Sequence, residues 1–184
     1  MADAWLITGI PGAGKTTVSR LLGERLERAA VIEGDLLQGW IVSGNVWPGD
    51  ERAAESARQI QLNMRNQCLL ARSYAEAGFT PIIDYVIVSQ ADLDAYRGRL
   101  QGLDVHLVVL HPGRDVVIAR ERGREKSQRH ERKHGLTIGE HFAHLERPLV
   151  EELSGVGLWI DNAALAPVAT AELILANRDR ARLR

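Results

Sequence analysis

The stretch AWLITGIPGAGKTTVSRLL, Ala4 to Leu22, constrains the fold more than any other part of the 184-residue chain. A short apolar run ends in glycine, and a helical pattern begins at a lysine. Between them, Gly9-Ile10-Pro11-Gly12-Ala13-Gly14-Lys15-Thr16 satisfies G-x-x-x-x-G-K-[ST] in full. That spacing is informative when a strand precedes it and a helix follows, and both flanks are present. Glycines let backbone N–H groups converge on an anion with no Cβ in the way. The helix start adds a partial positive charge. Lys15 is then placed for the β- and γ-phosphates of ATP, and Thr16 for a Mg²⁺ ion. Gly9, Pro11, Gly12, Ala13, Gly14 and Thr17 complete the expected phosphate contacts.

Five short apolar runs read as strands: Trp5–Thr8, Ala30–Glu33, Thr80–Val88, Val105–Leu110 and Leu158–Ile160. They are nearly continuous rather than alternating, as expected for a sheet covered on both faces. Helical periods lie between them, over Lys15–Arg28, Asp50–Ala77, Gln90–Leu100, Arg114–Arg122, Ile138–Leu153 and Val168–Asn177. Strands alternating with helices predict an α/β fold with a parallel sheet, and the length suits one domain over 1–184. Two spans break the rhythm: LLQGWIVSGNVWPGD from Leu36, and a charged segment from Arg122 to Leu136. Both read as mobile covers over a site at the strand ends.

Ligands of open parallel sheets bind beyond the carboxyl ends of the strands. Two carboxylates fall there. Asp84 closes FTPIID and is a candidate for Mg²⁺ through water or for orienting Thr16; a turn residue is the alternative. Asp35, in VIEGDLLQGW, is a candidate general base on an acceptor hydroxyl; a helix N-cap is the alternative. Leu36, Trp40, Trp47 and Tyr85 are candidate walls of an acceptor pocket, against a reading of both tryptophans as core. Asn162, in LWIDNAALAP, would lie near a purine ring or open an Asx turn.

The net charge is −1, which gives no general attraction for nucleic acid. Locally, Arg120 to Lys133 carries seven basic and three acidic side chains, a difference of +4. Arg120, Arg124 and Lys126 cluster there, and arginine forks suit phosphoryl oxygens. The plainer reading is a solvated helix face interleaved with Glu121, Glu125 and Glu131. A single cysteine, Cys68, sits in a helical pattern as core packing and suits a reducing, cytoplasmic compartment. No run reaches the roughly 18 apolar residues of a membrane span.

Together these residues resemble the small P-loop kinases, in the group of chloramphenicol phosphotransferase, gluconate kinase and shikimate kinase, often described as AAA-family ATPases. The resemblance implies a P-loop kinase fold: a five-stranded parallel sheet flanked by helices, an acceptor-binding region at 36–66 and an arginine-bearing lid at 120–136. It implies ATP and Mg²⁺ as cofactors. Lys15 and Thr16 match the nucleotide and metal residues, and Asp35 the acidic residue at the acceptor hydroxyl. Arg120 and Arg124 match the lid pattern R-x-x-x-R, and DNAAL followed by AP is similar to the adenine-side loop. Gln38 stands where adenylate kinases carry an arginine for the acceptor phosphate, and Leu37-Gln38 departs from the Leu-His of gluconate kinases.

The expected function is an ATP-dependent kinase acting on a hydroxyl of a small molecule: an antibiotic, nucleoside or sugar-like acceptor. Lys15, Asp35, Arg120 and Arg124 are its expected catalytic groups. Two other readings remain open. A polynucleotide 5′-hydroxyl kinase would use Arg129, Arg132 and Lys133 along a backbone. A nucleotide-binding regulatory ATPase would need no acceptor pocket.

Overall fold

Trp5, Leu6 and Ile7 have essentially no exposed surface, because the strand that carries them has neighbours on both edges and helices on both faces. The computed structural model describes residues 2–183, leaving the side chains of Lys133 and His134 outside the description. Strands β1 (Asp3–Thr8), β2 (Ala29–Glu33), β3 (Thr80–Asp84), β4 (Asp104–Leu110) and β5 (Leu158–Ile160) form one parallel sheet in the order β2-β3-β1-β4-β5. The chain leaves β1 toward one edge and β4 toward the other. The carboxyl end of β1 therefore opens where the direction of connection reverses, the place such sheets bind ligands.

The helices are α1 (Lys15–Gly23), α2 (Gly34–Gly39), α3 (Ala53–Glu76), α4 (Gln90–Arg99), α5 (Arg114–Arg122), α6 (Glu125–His134), α7 (Ile138–Phe142), α8 (Glu146–Leu153), α9 (Pro167–Ala176) and α10 (Arg178–Ala181). A 3₁₀ turn at Ala143–Leu145 joins α7 to α8. The strand and helix interiors merge into one hydrophobic cluster. Cys68 lies within it, as its sequence context predicts. Strand β5 covers only Val108 to Leu110 of β4. The C-terminal tail closes the rest of that edge: the Leu183 amide donates to the Val105 carbonyl, and Arg182 bridges His106.

Several boundaries differ from the sequence reading. The third strand stops at Asp84 rather than Val88. Its partner β1 ends at Thr8, so Tyr85 to Val88 have no strand to follow; instead Thr8 Oγ1 exchanges hydrogen bonds with the Ile87 backbone. Helix α1 ends at Gly23 instead of Arg28. The span 138–153 is three pieces, not one helix; Pro148 lacks the N–H that a continuous helix needs there and is tolerated in the first turn of α8. The two spans expected as irregular covers are partly helical: α2 opens one, and α6 fills most of the other up to left-handed Gly135.

Candidate active site

The loop from Gly9 to Gly14 runs between the end of β4 and helix α5, with no room for a side chain at Gly9 or Gly12. A Cβ on Gly9 would lie 2.4 Å from the Leu110 carbonyl oxygen, and one on Gly12 2.6 Å from that of Val117. Gly9, Gly12 and Gly14 all have positive φ. Gly14 caps α1 in the left-handed conformation and offers no side-chain acceptor to the first-turn amides. Backbone donors and an N-terminal dipole thus face the strand ends, the arrangement that holds phosphate. Pro11 and Ala13 shape the loop, and Thr17 is exposed just beyond it.

Lys15 Nζ donates to the Gly9 carbonyl across the loop at 3.0 Å. Withdrawal from water pulls its pKa below the ordinary lysine value; the carboxylates of Asp84, Asp35 and Glu121 push the other way. Thr16 Oγ1 donates to Asp84 Oδ2 at 2.5 Å. Asp84 is therefore the buried last residue of β3, not a turn residue. Burial raises its pKa, opposed by the Lys15 charge and the Thr16 hydrogen bond. With its proton given to Asp84, the Thr16 hydroxyl keeps its lone pairs for a cation. Both groups are oxygen donors of the kind Mg²⁺ takes.

Asp35 is not a helix cap. Helix α2 starts one residue earlier, with Glu33 at the N-cap position and no side-chain cap bond. Asp35 lies in the first turn with its carboxylate exposed, and Lys126 Nζ donates to Asp35 Oδ2 at 2.7 Å. Gly34 lets the start of α2 lie against Tyr85: a Cβ there would fall 2.2 Å from its ring. Tyr85 itself is only 9% exposed, so it supports α2 from below more than it faces an open pocket. Trp40 and Trp47 are 71% and 41% exposed, which rules out the core reading of both tryptophans.

The three lid cations do not act as one cluster. Arg120 reaches inward, donating to the Asn162 and Ala163 carbonyls at 2.9 and 3.2 Å and to the Ala13 carbonyl at 3.5 Å. Arg124 folds back on Glu121 at 2.6 Å. Lys126 crosses to Asp35. Asn162 is buried and donates Nδ2 to the Ala13 carbonyl, while its Oδ1 has no partner among the described residues. The Asx turn belongs to Asp161, which accepts from the Ala163 amide.

Two features escaped the sequence reading. Glu121, taken with its neighbours as part of a solvated face, is buried with 2% side-chain exposure beside Arg124 and bears on Lys15. Gly139 of α7 packs on it: a Cβ there would lie 3.1 Å from the Glu121 Cβ. The other is an amide ladder on α3. Gln59, Asn63 and Gln67 sit one turn apart and are all buried. Asn63 donates to the Gly34 carbonyl, Gln67 to Asn63, and Tyr96 to Gln67. Gln38 bonds Asn45, the Val46 carbonyl and Gln59. Gln38 thus braces the acceptor loop rather than facing a substrate. The i, i+4, i+8 spacing of the three α3 amides was the available signal.

With this geometry in place, the AAA domain family model (AAA_33) matches residues 5–148. The chain belongs to the AAA domain family. This member has the fold of small P-loop kinases. It is similar to the Deinococcus radiodurans tunicamycin resistance protein at 26% identity and TM-score 0.64, over 100% of this chain and 99% of that one. It is similar to the Mycobacterium tuberculosis APS kinase in complex with AMPPNP and APS at 19% identity and TM-score 0.70, over 97% and 98%. A sugar kinase from Janibacter sp. HTCC2649 matches at 18% identity and TM-score 0.63, over 98% and 96%. A comparison with curated proteins gave no match. Among the described residues, no helix is long and apolar enough to cross a membrane.

Proposed function

We propose that this AAA domain protein is an ATP-dependent kinase that transfers the γ-phosphoryl group to a hydroxyl of a small molecule. One observation carries the reading. Asp35, in the first turn of the helix after β2, stands at the same carboxyl edge of the sheet as the phosphate loop after β1, with its exposed carboxylate met by Lys126 of the lid. A hydrolase or switch needs the loop; a carboxylate held across from it, beside exposed indoles, suits a second substrate.

The roles follow from position. Loop amides and Lys15 bind the phosphates, and Asn162 and Arg120 brace the loop from the β5 side. Asp35 accepts the acceptor's hydroxyl proton as oxygen attacks phosphorus. Trp40 and Trp47 offer flat apolar surface to the acceptor's body. Arg124, held by Glu121, supplies positive charge near the migrating group. Mg²⁺, held by Thr16 and Asp84, would neutralise phosphate charge, the main electrostatic task in this chemistry. The names of the similar structures, a sugar kinase and an APS kinase among them, support a hydroxyl acceptor.

The polynucleotide reading is weakened by the lid's own pairing. Arg122 meets Glu140, Arg124 meets Glu121, Arg129 meets Glu125 and Lys126 meets Asp35. Lys133, also assigned to that reading, has its side chain outside the described residues. A labelled-ATP transfer screen over antibiotics, nucleosides, sugars and short oligonucleotides tests the proposal. Product on a small hydroxyl compound, lost in Lys15→Ala, supports it. ATP hydrolysis with no acceptor phosphorylated by any compound class would overturn it in favour of a regulatory ATPase.

A further inference from the structure

Lys126 joins two parts of the molecule that are separated by 91 positions in sequence. It lies in the first turn of α6, on the lid, and its ammonium sits 2.7 Å from Asp35 Oδ2 on α2. The same ammonium stands 5.4 Å from the ring centroid of Trp47, on the loop that follows α2. A cation over an indole face is attracted to it, as is a cation beside a carboxylate. The lid and the acceptor loop also meet at a second point: a Cβ on Gly49 would lie 3.1 Å from His141 Nε2 on α7. The lid itself is tied together, since Ser127 Oγ accepts from the Ile138 amide and links α6 to α7.

From this juxtaposition we infer that Lys126 is a positioning residue that latches the lid onto the acceptor side, aiming Asp35 and drawing Trp47 over the acceptor. This rests on the kinase reading above and adds to it. Lys126 engages Oδ2 and leaves Oδ1 for the acceptor hydroxyl. Both partners are more than half exposed. Exposed ion pairs are weak and screened by salt, which suits a contact that must open and close on every turnover. Arg120 and Arg124 cannot replace it, because each is already held on the phosphate-loop side.

Two measurements test the latch, and the first needs no acceptor. In a Trp40→Phe, Trp159→Phe background, accessible emission comes from Trp47, since Trp5 is buried. At low salt Lys126→Glu is expected to increase acrylamide quenching of Trp47, and Lys126→Glu with Asp35→Lys to restore protection. Raising the salt concentration should erase the difference. Equal quenching in all three proteins overturns the latch whatever the enzyme phosphorylates. The second uses the acceptor found in the transfer screen. Lys126→Gln is expected to raise the KM for acceptor roughly two- to fivefold, the range of an exposed ion pair, with the KM for ATP unchanged; Lys126→Arg should stay near wild type. An unchanged acceptor KM in Lys126→Gln overturns the positioning role. Absence of any phosphorylated acceptor counts against the kinase reading alone, and the quenching result still decides the latch.

Discussion

Asp35 and Cys68 show how far one side chain's setting decides its chemistry. Asp35 is exposed, paired with an ammonium and free to meet a substrate. Replacing it with Asn keeps its shape and removes its basicity. Asp35→Asn is expected to lower kcat about 10²–10⁴-fold, the usual yield of a general base, with ATP affinity within about twofold of wild type. A full-speed variant would strike Asp35 from the mechanism. Cys68 has the opposite setting. Burial pushes its thiol from 9.0 up to about 11. The folded state therefore keeps a neutral thiol where the unfolded chain would ionise, so this group's contribution to stability is full below pH 9 and lost as pH rises toward about 11. Iodoacetamide at pH 8 should label Cys68 slowly in the native protein and quickly in urea. Fast labelling of the native form would contradict the packing around α3.

At the scale of elements, helix α3 holds the acceptor side in place with amides where an ordinary core helix would use aliphatics. Each link is buried, so removing one partner strands another away from water. Asn63→Ala would leave the Gly34 carbonyl without its donor and Gln67 without its acceptor. A loss of about 1–3 kcal/mol is expected, seen as a lower Tm in thermal unfolding, together with a higher acceptor KM. If stability fell but the acceptor KM did not move, the ladder would support the fold without shaping the pocket. The lid elements work differently. Helices α5, α6 and α7 are joined by Glu121, Ser127 and the Thr137–Glu140 capping box. Arg120 of α5 is tied to the phosphate loop and the β5 side, while Lys126 of α6 is the lid cation that reaches Asp35 on the acceptor side.

Over the whole molecule, charge nearly cancels, at a net −1. Of the seven basic side chains between Arg120 and Lys133, Arg122, Arg124, Lys126 and Arg129 are paired with carboxylates. A duplex or single strand would find few unpaired cations to release counterions against. Binding of a short oligonucleotide, followed by fluorescence anisotropy, is expected to be weak, with a shallow dependence on salt. Tight binding with a steep negative slope in log salt would revive the polynucleotide reading. The sheet order places the phosphate loop, Asp84 and Asp35 at the carboxyl ends of three neighbouring strands, so the site owes its composition to the order β2-β3-β1.

The phosphate loop, the five strands and the parallel α/β class were legible in the sequence because each is local: a glycine pattern, a run of apolar residues, a change of period. The identities of Lys15, Thr16, Asp35 and Asp84 as candidates followed from the same strand ends. What the sequence left open depended on partners distant along the chain. Asp35 is, by sequence, a candidate base with a helix cap as the alternative, and the cap falls away only because α2 starts at Gly34. Asp84 is, by sequence, a candidate to orient Thr16, with a turn residue as the alternative, and the contact itself, between residues 68 positions apart, is a tertiary fact. Glu121 looked solvated until α7 covered it. Local patterns set where the chain becomes strand, helix or anion cradle. Which charges become buried, paired or free is set only when the sheet brings remote segments within a few ångströms, since desolvation and Coulomb attraction depend on separation in space and not along the chain.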